Sequence, residues 1–393
     1  MKQNCGSVTL MAVGDVMLGG KVGMTMLNDG WEHPFRHVAS TFREADIVFG
    51  NLPTPLSYRN ERNPGKPESH LLKANPRAIQ GLKYAGFNIL SLANNHILDF
   101  GAEALFKTKK LLADDGIDYV GVGRNESEAR KPIVVHHNGV DVAFLAYSCS
   151  YPATRNSPGC APIRLSIIEE GVIKARALAD VVVVSLHQGL EYSDYPVPAH
   201  ISLTHKIIES GADLILGHHP HVLQGIEHYG RGIIVHSLGN FVHDTIHGKM
   251  KEEAIQNCAL SKMGNIAFAP DDRRPSESII FKCILGKNGV TNIDTIPIHI
   301  NRNYQPEVLN GEAGELLLNR LELLSSKLHD RDMPIWDILT EVNAEENVTS
   351  LFKRDPLYIL KKFHRIRGRH LKLFTGYLSS VLSIRKGHEE RGQ

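Results

Sequence analysis

Six short apolar runs in this chain end on side chains that can bind a cation or move a proton. Val8–Val13 leads to Gly14-Asp15, Ile47–Phe49 to Gly50-Asn51, and Ile89–Leu92 to Ala93-Asn94-Asn95-His96. Val181–Leu186 leads to His187, Leu214–Leu216 to Gly217-His218-His219-Pro220-His221, and Ile233–His236 to Ser237-Leu238-Gly239-Asn240. Aspartate and asparagine supply oxygen, histidine supplies nitrogen, and no thiolate is required. That donor set suits manganese, iron or zinc better than copper(I) or an iron–sulfur cluster. Two such ions ~3.5–4 Å apart can activate water and clamp both the attacking and leaving oxygens of a phosphoester. Each piece alone has a plainer use. Asp15 after glycine suits a turn or helix N-cap, Asn51 and Asn95 suit left-handed turn positions, and His96 or His187 suits a hydrogen-bonded core. The run His218-His219-Pro220-His221 is different, because imidazoles crowding the end of an apolar strand cost free energy unless each finds a partner. The reading rests on convergence.

Convergence needs elements that deliver these residues to one place. Val8–Val13, Ile47–Phe49, Ile89–Ser91, Val140–Tyr147, Val181–Ser185, Leu214–Leu216 and Ile233–His236 read as buried strands. Pro76–Ala85, Ala102–Asp114, Ile167–Leu178 and Pro198–Ser210 read as helices between them. Such alternation defines an α/β class, in which strands bring their carboxyl ends to a common ligand-binding rim. Tyr58–Pro67, Tyr151–Ala161 and Asp271–Ser278 have the composition of surface loops, and Ile279–Leu285 reads as a further strand.

After Ile300 the pattern changes, so two units are expected: 1–300 as the catalytic-type domain and 301–393 as a helical, basic extension. Glu312–Leu328 and Ile335–Val342 have helical spacing, and Leu357–Leu382 sets apolar residues among basic ones, interrupted by Gly368 and Gly376. Residues 351–393 hold 11 Lys/Arg against 3 Asp/Glu, leaving 33 against 40 for the first 350, so the net charge of +1 is a cancellation. The extension suits packing on the core, or contact with an anionic membrane, polymer or synthase. It carries no nucleic-acid reader motif, which argues against nucleic acid as a partner.

The 393 residues are 42% hydrophobic and 22% charged, enough to bury a core and against general disorder. The apolar runs fall far short of a membrane span of ~20 residues. The opening Met1-Lys2-Gln3-Asn4-Cys5-Gly6 lacks the apolar stretch of a signal peptide. A cytoplasmic or peripheral membrane location follows as the expectation. The five cysteines are scattered without C-x-x-C spacing, against a disulfide scaffold or a thiolate zinc site.

Six segments carry a family resemblance: G-D-V-M-L-G (Gly14–Gly19), G-N-L-x-x-P-L (Gly50–Leu56), L-A-N-N-H-x-L-D-x-G (Leu92–Gly101), S-L-H-x-G-x-E-Y (Ser185–Tyr192), Gly211–Glu227 and H-S-L-G-N-F-V (His236–Val242). In this order they resemble the CapA-type poly-γ-glutamate capsule biosynthesis proteins, within the calcineurin-like metallophosphoesterase superfamily. The resemblance implies a four-layer α/β/β/α sandwich with one or two divalent ions on one rim. By position, Asp15, Asn51, Asn95, His187, His219 and His221 resemble the metal ligands, with Asn51 where a bridging aspartate usually lies. His96 resembles the group that contacts or protonates the leaving oxygen. His218 has no counterpart role.

Two departures bear on the chemistry. Met17 stands where the superfamily usually has a histidine, and Pro53 where the CapA pattern reads Glu. Asp15 is then the one carboxylate among the candidate ligands, which favours one tightly held ion and a second held weakly or with substrate. Glu191 and Asp99 are spare carboxylates that either compensate or hydrogen-bond the ligand histidines. Two functions compete. One is a metal-dependent hydrolase acting on a phosphoester or amide-type bond in capsule or polyanion metabolism. The other is a non-catalytic accessory protein that binds polyglutamate or partners a polymer synthase.

Overall fold

The computed structural model describes residues 6–63, 66, 71–244 and 273–330. Contacts divide the chain between Met333 and Pro334, and the fold described is that of the first unit. The expected helix Ile335–Val342, the basic stretch Leu357–Leu382 and part of the Tyr58–Pro67 loop lie outside the described residues.

Two sheets dominate among the described residues. The first has eight strands, in the order Pro306–Val308, Gly289–Ile300, Glu277–Gly286, Ser7–Val16, Ile47–Asn51, Ile89–Ser91 and Asp118–Val120, with Asn240–Val242 beside Ser7–Val16. The second has six: Ile226–Tyr229, Gly232–Val235, Leu214–His218, Val181–His187, Val140–Ser148 and Ile133–His137. Every strand read from the sequence is present within a few residues. Past Ile300 the chain adds an edge strand, Pro306–Val308, and a helix, Gly311–Ser326.

Alternation along the strands creates the layers. In Val140–Ser148, Val142, Phe144 and Ala146 join the core shared with the first sheet, whereas Ala143, Leu145 and Tyr147 join a second core. That second core is closed by Ile167, Ile168, Val172 and Ala175 of helix Leu165–Arg176 and by Ile207 and Ile208 of helix Pro198–Glu209. On the first sheet, helices Gly20–Asp29, Ile79–Ala85 and Gly101–Asp114 contribute Val22, Met26, Leu82, Ala85, Leu105 and Leu112 to the main core. With side chains alternating at period two, strands buried on both faces need apolar residues throughout; Val181-Val182-Val183-Val184 is such a run. The result is a helix/sheet/sheet/helix sandwich.

One crossing joins the sheets at the rim. After Gly232–Val235 in the second sheet, the chain passes Gly217, whose carbonyl accepts from Leu238 N at 3.0 Å. It then passes Gly14, where Gly239 O accepts from Asp15 N at 3.1 Å, and enters the first sheet as Asn240–Val242. Backbone and backbone meet here with no room for side chains. A Cβ on Gly217 would lie 1.9 Å from His236 O, and one on Gly14 1.9 Å from Gly239 O.

Candidate metal centre

Register brings the strand ends level. Asp15 pairs with Asn51 on one side and Asn240 on the other, while His187 pairs with His218 in the facing sheet. Asp15, Asn51, His187 and His218 are all essentially buried. Asn51 Nδ2 donates to Asp15 Oδ1 at 2.7 Å and lies 3.3 Å from His187 Nδ1. The Asn51 oxygen in turn accepts from Asn94 Nδ2 at 3.4 Å. His187 Nε2 lies 3.1 Å from Asn95 Oδ1, a hydrogen-bond distance that two ligands sharing one cation also adopt. The His187 and His219 rings are centred 4.8 Å apart, His219 and His221 5.9 Å, and His221 and His243 5.1 Å. His221 Nδ1 lies 2.8 Å from Asn240 Oδ1 and 3.2 Å from Asp15 Oδ2. Asp15, Asn51, Asn95, His187, His219 and His221, read from strand ends up to 206 positions apart, therefore meet on one rim.

The backbone is bent to achieve this. His219 and His221 have φ of 100° and 61°, and Tyr192 in the neighbouring loop has 62°. Non-glycine residues rarely adopt such values, and where they do, surrounding structure must hold them. Tyr192 N donates to Pro220 O at 2.7 Å, tying the loop after His187 to the His219-Pro220-His221 turn.

Electrostatics favours neutral imidazoles around Asp15, with His221 the exception. Burial pushes the His218 and His219 values down to about 4 and that of His243 to about 3. His187 lies well below its ordinary value, from burial and then from neighbouring His219. Burial also acts on His221, but contact with Asp15 and the charges of Asp15 and Glu191 outweigh it and raise the value to about 9. Burial raises Asp15, yet the His221 contact and the surrounding histidines hold it far below the carboxylate range.

The donor set fits a divalent cation. Both ring nitrogens of His218 and His219 Nδ1 are buried without a hydrogen bond, and Asp15 Oδ2 is met by the 3.2 Å approach of His221 Nδ1. Unsatisfied buried groups of this kind are costly and call for an explanation. Glu191, His219 and His221 each offer a ligand atom, all within 4.8 Å of one another. Neutral nitrogens on His187, His218 and His219 beside the ionised Asp15 are the states metal binding requires, and His221, whose proton Asp15 favours, would give that proton up to a bound cation.

A second group adjoins the first through Asn95-His96. Asp99, fully buried, accepts from His96 Nδ1 at 2.7 Å, Lys66 Nζ at 2.7 Å and Leu72 N at 2.9 Å. Lys66 Nζ also reaches Asn95 O and comes within 3.4 Å of His96 Nδ1. Burial lowers His96, opposed by Asp99 and reinforced by Lys66.

Asp99 thus supports His96, while Glu191 stands among the candidate ligands. Met17 belongs to the apolar core. Sequence reading left His218 without a role and passed over His243 and Lys66. His243 follows the apolar strand Asn240–Val242, so the signal that found the other strand ends would also have found it. Lys66 lies in a polar loop with no local signal.

The described residues form a two-sheet α/β/β/α sandwich with a rim of Asp, Asn and His at the strand ends. The chain belongs to the bacterial capsule synthesis protein family PGA_cap, whose pattern matches residues 9–245. It is 35% identical over 266 residues to the capsule biosynthesis protein CapA of Bacillus anthracis, covering 65% of each chain. It is also 35% identical over 261 residues to the PGA biosynthesis protein CapA of Bacillus subtilis (strain 168), covering 65% of this chain and 68% of that one. The match thus spans a little under two thirds of the Bacillus anthracis relative. Among solved structures, a phosphatase from Mycoplasma pneumoniae has a TM-score of 0.46 at 14% identity, covering 75% of this chain and 94% of that one. No helix of the described residues is long and apolar enough to cross a membrane.

Proposed function

We propose that this chain is a metal-dependent, phosphoesterase-like hydrolase serving capsule poly-γ-glutamate biosynthesis, with an anionic polymer or a phosphoester as substrate. The observation that carries this reading is the cluster of buried donor atoms on Asp15, His218 and His219 that lack ordinary hydrogen bonds, within a rim shared by Asn51, Asn95, His187 and His221. Family membership supports the biological setting, and both Bacillus relatives carry names for such biosynthesis.

Asp15, Asn95, His187, His219 and His221 would hold one or two ions of manganese, iron or zinc, with Asn51 orienting Asp15. Bound there, a divalent cation supplies Lewis acidity and an activated water. His96 acts on the leaving group: Asp99 engages its Nδ1, so Nε2 is the nitrogen left to pass a proton to the departing oxygen. Lys66 adds positive charge beside that histidine and favours an anionic substrate. Asn94, donating to Leu52 O at 2.9 Å, fixes the backbone that presents Asn95 and His96.

The test is turnover on a panel of phosphomonoesters and phosphodiesters after manganese loading. His96→Ala should lose about 10²–10⁴-fold in turnover while elemental analysis finds its metal content unchanged. A wild-type chain that takes up metal, hydrolyses nothing on the panel and binds polyglutamate in a salt-sensitive way would overturn the hydrolase reading in favour of an accessory binder.

A further inference from the structure

The centre is short of negative charge on the side of the first sheet. At position 51 an amide donates to Asp15 at 2.7 Å, so that strand end brings a dipole rather than an anion. A dication among neutral imidazoles and amides keeps only Asp15 as counter-charge, and hard cations gain much of their affinity from carboxylate ligands.

The second sheet offers the missing group. Glu191 lies four residues after His187, in the loop leading to helix Pro198–Glu209. A carboxylate oxygen of Glu191 and one ring nitrogen each of His219 and His221 lie mutually within 4.8 Å, and among the described residues this trio is the one His/Cys/Asp/Glu group meeting that spacing. The placement is built rather than incidental. Tyr192 N donates to Pro220 O at 2.7 Å, Gln224 Nε2 donates to Ser193 O at 2.9 Å, and Pro220 packs where a Gly189 Cβ would stand 3.1 Å away. The loop carrying Glu191 is therefore stitched along the segment carrying both histidines, and the left-handed conformation of Tyr192 holds that alignment.

We propose that Glu191 ligates the metal with His219 and His221, supplying from a loop of the second sheet the carboxylate that position 51 of the first sheet lacks. The assignment rests on the metal-centre reading above and adds to it the source of the second negative charge. It also accounts for Asn51: with Glu191 on the opposite side, an amide there avoids a third carboxylate facing Asp15.

The probe is manganese(II) alone, on the full chain, with affinity read by calorimetry and stoichiometry by elemental analysis. Glu191→Gln should weaken affinity at least tenfold or remove one equivalent, whereas Glu322→Gln, on an exposed helix face, should change neither. Asn51→Asp placed in the Glu191→Gln chain should recover binding by restoring the charge from the other sheet; no recovery would overturn the exchange of one carboxylate for the other. Affinity of Glu191→Gln within twofold of wild type would overturn the ligand assignment. If Glu191→Gln does not fold, Glu191→Asp decides, because shortening the side chain withdraws the carboxylate from the histidine pair and wild-type affinity there has the same meaning. A wild-type chain that binds no manganese, iron or zinc brings down the metal-centre reading itself, a result distinct from any of these.

Discussion

Asp99 and Lys66 press on His96 with opposite signs. The carboxylate accepts from Nδ1 at 2.7 Å and stabilises the imidazolium, while the ammonium, 3.4 Å from the same atom, opposes it. Because His96 acts as an acid, its useful form is lost as pH rises through its value in the complex, which sets the alkaline limb of kcat. Asp99→Asn removes the stabilising charge and should move that limb to lower pH, with kcat down about 10–100-fold. Lys66→Met removes the opposing charge and should move it to higher pH. The pH–rate profiles of both variants on the best substrate of the panel check this. Limbs that shift together, or stay put, would take the proton-transfer role away from His96. A purely structural role for either residue predicts lost protein without this divergence.

At the scale of elements, the site is a product of where strands stop and how one loop crosses. Gly217 and Gly14 let the segment from His236 to Asn240 pass between the two strands that carry His218 and Asp15. Gly217→Ala would drive a Cβ to 1.9 Å from His236 O, a backbone clash that no rotamer relieves. The expected cost is about 3 kcal/mol or more, read from urea midpoints, together with loss of manganese uptake as the His218–His221 segment shifts. Gly230→Ala is the contrast: φ is +55° but nothing lies within 4 Å, so about 1–2 kcal/mol of backbone strain should leave uptake intact. Equal metal loss in both would mean that this crossing does not set the site. The strand ends themselves were legible in the sequence, because buried parallel strands must be apolar and a polar residue closing one is conspicuous. That rule found Asp15, Asn51, Asn95, His187 and the histidine run. It did not reveal that Asn240 would pair with Asp15, since a chain leaving one sheet for another has no periodic signature. Nor did it separate Glu191 from Asp99. Both are carboxylates close after a site residue, and only the folding of their loops sends one to the histidine pair and the other to His96.

For the whole molecule, burying so many imidazoles between two sheets ties stability to pH. His96, His187, His200, His218, His219, His236 and His243 all have lowered values, with burial the largest cause in each, and His200, whose second cause is the charge of His219, reaches about 4. In the unfolded chain these rings take protons near pH 6.5. Below that pH the unfolded state therefore binds more protons than the folded one, and stability falls as pH falls, continuing toward the folded-state values. His221 runs the other way. Its value is raised to about 9, so its contribution is full below pH 6.5 and is lost as pH rises to 9. With seven groups set against one, chelator-treated protein should be most stable near neutrality. Its melting temperature should drop steeply between pH 7 and 5 and only gently between pH 7 and 9. His200→Gln removes one of the seven at a residue outside the candidate ligand set and should flatten the acid side, a comparison that scanning calorimetry across pH makes directly. A melting temperature unchanged from pH 7 to pH 5 would mean that these rings are protonated within the fold. Burial would then not be what keeps these nitrogens neutral.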